Sequence, residues 1–123
     1  MRILKTINLV FFESPIFTRL LPDYLDDQNY QALQLALLEN PNLGDRIPPG
    51  TGGFRKIRWQ DSRRSKGKRG GLRIIYYYLG TDNQIWFFTI YYKDEVSDLT
   101  MQEKRILKQA IQAELAAMRQ SNE

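Results

Sequence analysis

The chain has 123 residues, 42% of them hydrophobic and 12% aromatic, a size and composition that fit one globular domain with a single core. It contains neither Cys nor His, which excludes a disulfide framework and thiol chemistry and removes the commonest metal ligand and general base. The formal net charge is only +4, yet residues 55–73 hold nine cations (Arg55, Lys56, Arg58, Arg63, Arg64, Lys66, Lys68, Arg69 and Arg73) against one acid, Asp61.

Along the chain, "MRILKTINLVFFES" places Arg2 and Lys5 before an apolar run, as a leader peptide would. The run from Ile7 to Phe12 contains Asn8 and stops at Glu13, too short for a leader core or a membrane span, so a cytoplasmic protein is expected. Its β-branched and aromatic content predicts a strand over residues 6–12. Ser14-Pro15 predicts a helix start, with Ser as N-cap and Pro at the first helical position. Pro22 should break or kink that helix.

A second helix is predicted from Asp26-Asp27 to about Glu39, with Tyr30, Leu33 and Leu37 on its inner stripe and Leu35 and Leu38 widening it. The Gly- and Pro-rich "LGDRIPPGTGG" predicts a loop. "FRKIRW", "GLRIIYYYLG" and "QIWFFTIYY" predict three strands, the last two joined by a turn at "GTDN". Thr100 and Glu103 form a capping-box pattern at the head of a helix running to about Arg119. Its inner stripe is read as Ile106, Leu107, Ala110, Ile111, Glu114, Leu115 and Met118. The order β-α-α-β-β-β-α predicts an α+β fold, an antiparallel sheet packed against helices.

Alternation along "FRKIRW" puts Lys56 and Arg58 on one face and Arg55, Ile57 and Trp59 on the other, with Arg55 at the edge of the core side. On the next strand Arg73 faces away from Leu72, Ile74 and Tyr76. Pairing in the favourable register joins Lys56, Arg58 and Arg73 into one cationic face without a carboxylate neighbour, a costly arrangement that a phosphate would relieve. Between the strands, "QDSRRSKGKRGG" adds Arg63, Arg64, Lys66, Lys68 and Arg69, which suit a nucleic-acid backbone; a solvated hairpin tip is the plainer alternative. Most rings of the last two strands must be core. Tyr91 or Tyr92, at the strand end, is expected to turn toward the basic face. RNA carries its own nucleophile, the 2′-hydroxyl, so clustered cations are enough for a cleavage mechanism without His.

The segments "ESPIFTRLLPDYLDDQNYQALQLALLENP", "IPPGTGGFRKIRW", "GKRGGLRIIYYYL" and "YYKDEVSDLTMQEKRILKQAI" together resemble the HigB-like branch of the RelE/ParE toxin superfamily over nearly the whole chain. The resemblance implies a RelE-like, microbial-RNase-type fold and a type II toxin. Its activity would be that of a metal-independent, cofactor-free mRNA endonuclease that cuts translated message in the ribosomal A site. The partners implied are the 70S ribosome, mRNA and a cognate antitoxin, of the helix-turn-helix kind in many members, with a monomer when free and no membrane.

Carried over by motif, the implied site residues are Lys56, Arg58 and Arg73, with Lys93 after the last strand. Arg58 and Arg73 would stabilise the phosphorane while Lys56 and Lys93 share proton transfer. Arg55, Arg63, Arg64, Lys66, Lys68 and Arg69 would contact message or ribosomal RNA. Asp94 stands where RelE-type members have an Arg and Thr100 where they have a catalytic Tyr, and this chain has no His to replace it. Tyr91 or Tyr92 is therefore the expected substitute. The ParE side of the superfamily implies a second reading, a non-enzymatic inhibitor of DNA gyrase, and a plain nucleic-acid-binding domain is a third.

Overall fold

A computed structural model describes residues 2–5, 9–47, 53–61, 71–94 and 100–121. The loop cations Arg63, Arg64, Lys66, Lys68 and Arg69 lie outside them.

Among the described residues, six strands form one sheet: β1 (Arg2–Lys5), β2 (Val10–Glu13), β3 (Asp45–Arg46), β4 (Arg55–Trp59), β5 (Leu72–Leu79) and β6 (Gln84–Tyr92). Their order is β1-β2-β6-β5-β4-β3. The sheet is mixed, which corrects the antiparallel expectation: β2 runs parallel to β6, while the other neighbouring pairs are antiparallel. Of the predicted strand over 6–12, residues 6–8 lie outside the described residues, and the rest meets β2, which runs on to Glu13 and has β1 as its antiparallel neighbour. The two-residue β3, inside the predicted loop, is the other addition.

Helix α1 (Pro15–Tyr24) starts as its sequence dictates. Ser14 accepts the Phe17 N–H at 3.0 Å and donates to the Phe88 carbonyl at 2.8 Å, so one side chain both caps the helix and ties it to β6. Pro22 sits in the last turn, and the helix stops two residues later, where the Leu25 N–H bonds Leu21. Asp26 caps α2 (Asp27–Glu39), accepting the Asn29 N–H at 2.7 Å. Tyr30, Leu33 and Leu37 are buried as predicted. Leu35 is 55% exposed, because a step of two residues turns it about 200° from Leu33 at 3.6 residues per turn. In α3 (Met101–Ser121) Ile106 is likewise exposed, at 56%, rather than on an inner stripe. The predicted turn is a short 3₁₀ segment, Gly80–Asp82, closed by Asn83 at φ 53°, a left-handed conformation that Asn tolerates well.

One sheet face carries the main core. Phe17, Leu21, Tyr30, Leu33 and Leu37 of the helices pack with Phe11, Ile57, Leu72, Ile74, Tyr76, Ile85, Phe87 and Ile90 of the sheet. Stacked rings continue the packing, with Phe17 lying 4.8 Å from Phe87. The opposite face has a smaller cluster of Ile47, Phe54, Ile75 and Tyr91, flanked by Tyr77 and Phe88.

The segment before β3 is held from beneath by β4 and β5. The Tyr76 hydroxyl accepts the Gly44 N–H at 3.0 Å and donates to the Pro41 carbonyl at 2.8 Å, and the Arg55 guanidinium donates to the Gly44 carbonyl at 2.8 Å. Gly44 lies so close that an added Cβ would stand 2.8 Å from Tyr76 Cε1 and 3.0 Å from the Lys56 backbone. Gly44→Ala is therefore expected to cost about 1–3 kcal/mol in chemical denaturation, through overpacking of a backbone that has no room to yield.

Burial pushes the Tyr76 hydroxyl above its ordinary pKa, partly offset by the Gly44 N–H and the charge of Arg55. The folded state therefore holds this proton more tightly than the unfolded chain. That contribution is complete below the unfolded tyrosine value, about pH 10, and is lost as pH rises through the higher folded value. Denaturation midpoints compared at about pH 8 and about pH 11 should fall less steeply in Tyr76→Phe than in the wild type. An equal alkaline fall in both proteins would refute the assignment.

Candidate phosphate-binding face

The strand register decides which charged side chains meet. Arg58 on β4 pairs with Arg73 on β5, and Arg73 pairs in turn with Tyr91 on β6, so the three side chains form one row across three strands. The next row holds Asp45, Lys56, Ile75 and Thr89. Lys56 and Arg58, two residues apart on one strand, point the same way with Cα atoms roughly 7 Å apart. The predicted clustering of Lys56, Arg58 and Arg73 on one face is thus present.

One expectation about this face is overturned. Asp45 stands opposite Lys56, so the cations do have a carboxylate neighbour, and it arrives on β3, a strand absent from the sequence-based reading. Arg58 and Arg73, by contrast, face each other directly.

Arg73 is the unusual member. It is only 6% exposed, and its Nη1 donates to the Leu72 carbonyl at 3.0 Å. Burial lowers its pKa, the positive charge of Arg58 lowers it further, and Tyr91 acts in the opposite direction. Arginine nevertheless stays protonated at any physiological pH. The fold thus keeps a desolvated cation directly across from a second one, where like charges repel. An anion seated between them would reverse the sign of that interaction.

The pair of tyrosines at the end of β6 separates cleanly. Tyr91 points to the cationic face and is buried in the small cluster there. Tyr92 pairs with Leu72 and turns to the helix-covered face, where its ring packs 4.6 Å from Tyr24 and its hydroxyl reaches the Asp23 carbonyl at 3.5 Å. The expectation that Tyr92 serves the site is therefore corrected: the sheet lies between its ring and the cations.

The cause is a β-bulge. Ile75 pairs with Thr89 and Tyr76 with Phe87, which leaves Phe88 as an extra residue. Phe88 turns to the cationic side, edge-on to Phe54 at 4.7 Å, and every residue after it changes face.

Arg55 also departs from its expected role in RNA contact. It lies on the helix side of the sheet, with its guanidinium committed to the Gly44 carbonyl, so it shapes the wall of the site from behind. Lys93 is exposed, and its backbone N–H bonds the Gly71 carbonyl at 3.0 Å. That bond brings it to the end of the sheet where Arg73 and Tyr91 stand.

Two features escaped the sequence reading. Asp61, the lone acid of the basic segment, is buried at 1% exposure. A cavity of about 180 Å³ opens at the outer edge of β4, lined by Leu43, Asp45, Lys56, Ile57, Arg58 and Trp59. The cavity has no sequence signal, since it depends on how the chain around β3 folds back on β4.

Among the described residues no group of three or more His, Cys, Asp or Glu is placed to hold a metal ion, and no helix is long and apolar enough to cross a membrane. What the face offers chemically is three cations and a phenol within one patch of sheet, suited to a tetrahedral or pentacoordinate phosphate. No protein-family model matches the chain.

Proposed function

We propose that this protein is a ribosome-dependent mRNA endonuclease of the toxin–antitoxin type, with a RelE-like fold and a cytoplasmic site of action. The observation that carries the reading is the row Arg58–Arg73–Tyr91, in which a buried guanidinium is held against a second cation. Such an arrangement sets two like charges side by side, and a phosphate passing to a more negative transition state would profit from it most. The sequence resemblance supports the same reading independently.

In this mechanism the RNA 2′-oxygen attacks the adjacent phosphorus, the bond from phosphorus to the 5′-oxygen breaks, and a 2′,3′-cyclic phosphate and a 5′-hydroxyl result. Arg58 and Arg73 neutralise the charge that gathers on the phosphorane oxygens. Lys56 takes the 2′-hydroxyl proton. Lys93 or the Tyr91 hydroxyl, at the far end of the row, returns a proton to the departing 5′-oxygen. A cognate antitoxin would hold the activity in check.

The test is primer extension on ribosomes stalled on a defined message, with naked RNA as the control. Cleavage at the A-site codon, on ribosomes only, is the expected result. An uncut message would refute the nuclease reading and make DNA gyrase the next target to assay.

A further inference from the structure

We propose that the outer edge of β4, beyond the end of β3, receives a short extended segment of a different polypeptide. That segment is acidic where it meets Arg58 and apolar where it meets the cavity beside Trp59. The inference goes beyond the nuclease reading and does not depend on it.

The open edge can be traced bond by bond. The Ile47 N–H bonds the Phe54 carbonyl at 2.9 Å, so Phe54 presents its peptide groups toward β3. Strand alternation turns those of Lys56, Arg58 and Gln60 the same way. The far side of the sheet gives the same parity. The Lys93 N–H bonds the Gly71 carbonyl at 3.0 Å, so Arg73 presents its peptide groups to β6, and Leu72 and Ile74 face Trp59 and Ile57 of β4.

β3 pairs only with Arg55 and Lys56. Leu43 is the residue that would continue the pairing to Arg58, but its N–H turns to the Asn40 carbonyl at 3.0 Å. The Gly44 N–H is likewise drawn off, to the Tyr76 hydroxyl at 3.0 Å. The chain peels away from β4 at this point, and the cavity of about 180 Å³ opens in the gap. Among the described residues, no backbone group pairs with the outward N–H and C=O of Arg58 and Gln60, and both residues are exposed.

The side chains around the gap say what fits. Arg58 points to the cationic face, while Trp59, the next residue, packs against the helix-covered core. A ligand lying on one face meets only one of them. An added strand meets both, because its own side chains alternate. The residue opposite Arg58 falls on the cationic face, where Asp or Glu would repeat the pairing that Asp45 makes with Lys56. The next residue turns toward Leu43, Ile57 and Trp59, where the cavity has room for one apolar side chain. A second copy of this chain, offering the same edge, would set cation against cation, so the occupant is an acidic partner.

The experiment titrates the full chain into a fluorescein-labelled peptide of alternating Glu and Val, read by fluorescence anisotropy. N-methylation of the Glu residues removes the N–H groups aimed at β4 and should weaken binding about tenfold, the worth of two hydrogen bonds. N-methylation of the Val residues, whose N–H groups point away from the sheet, should leave binding near that of the parent peptide. Arg58→Ala, at an exposed position that spares the fold, should weaken the parent several-fold. With the parent bound, the Arg58 and Gln60 amide protons should exchange more slowly with solvent.

Equal binding of the two methylated peptides would show charge attraction alone and overturn the strand, as would a parent peptide that does not bind. Dimerisation of the protein by itself in sedimentation, with the same two amides protected, would give the edge to a second copy and overturn the acidic partner. A failed cleavage assay would leave each of these results unchanged.

Discussion

Replacing Arg73 with methionine is expected to cripple cleavage while leaving the protein folded and close to the wild type in stability. The guanidinium is almost fully buried and faces Arg58, so its removal relieves a desolvation cost and a repulsion that offset the loss of its hydrogen bonds, and methionine fills most of the same volume. Urea denaturation should therefore give a stability within about 1 kcal/mol of the wild type. Single-turnover cleavage should drop by about 10²–10³, the usual loss when one preorganised donor to a transition-state oxyanion is removed. Arg73→Lys keeps the charge without the planar fork and should fall between. A methionine variant that is folded and cuts normally would remove Arg73 from the mechanism.

The second large effect concerns stability alone. Glu13, at the end of β2, is 0% exposed and joins three elements: its Oε1 accepts the Thr18 hydroxyl of α1 at 2.8 Å, and its Oε2 accepts the Tyr30 hydroxyl of α2 at 2.6 Å. Glu13→Ala leaves a void and strands both hydroxyls, which should cost on the order of 3–5 kcal/mol. Tyr30→Phe breaks one of the two bonds and should cost about 1–3 kcal/mol. Both losses are measurable as denaturation midpoints, and neither residue lies on the cationic face. A Glu13→Ala protein as stable as the wild type would show that the carboxyl only fills space.

What could be read from the sequence divides along physical lines. Local signals were legible, because capping and periodicity act within a few residues: Ser14, Asp26, and the stripe Tyr30, Leu33 and Leu37 each announce their structure. The union of Lys56, Arg58 and Arg73 was legible as a pattern, since each alternates against apolar neighbours on its own strand.

The choice between Tyr91 and Tyr92 was not legible. Strict alternation from Ile85 and Phe87, both in the main core, would send Tyr91 to the core and Tyr92 to the cations. The bulge at Phe88 inverts that result. A bulge is set by packing on both faces of a sheet, which no window of sequence contains. Asp45 was hidden for a related reason: a two-residue strand has no periodicity to detect, and only the hydrogen bonds of Tyr76 and Arg55 to the segment before it show why it forms. The missed parallel pairing of β2 with β6 is likewise non-local.

That pairing bears on how the protein is made. Ser14 bonds the Phe88 carbonyl across a separation of 74 residues, and the β2 strand beside it finds its parallel neighbour only in β6. A nascent chain must therefore carry β2 and α1 without their β6 neighbour until most of the polypeptide has been synthesised, and long-range pairing of this kind slows folding. The cationic face is thereby postponed: β6 also supplies Tyr91 and completes the row with Arg58 and Arg73, so the face forms only once the chain has emerged as far as Tyr92.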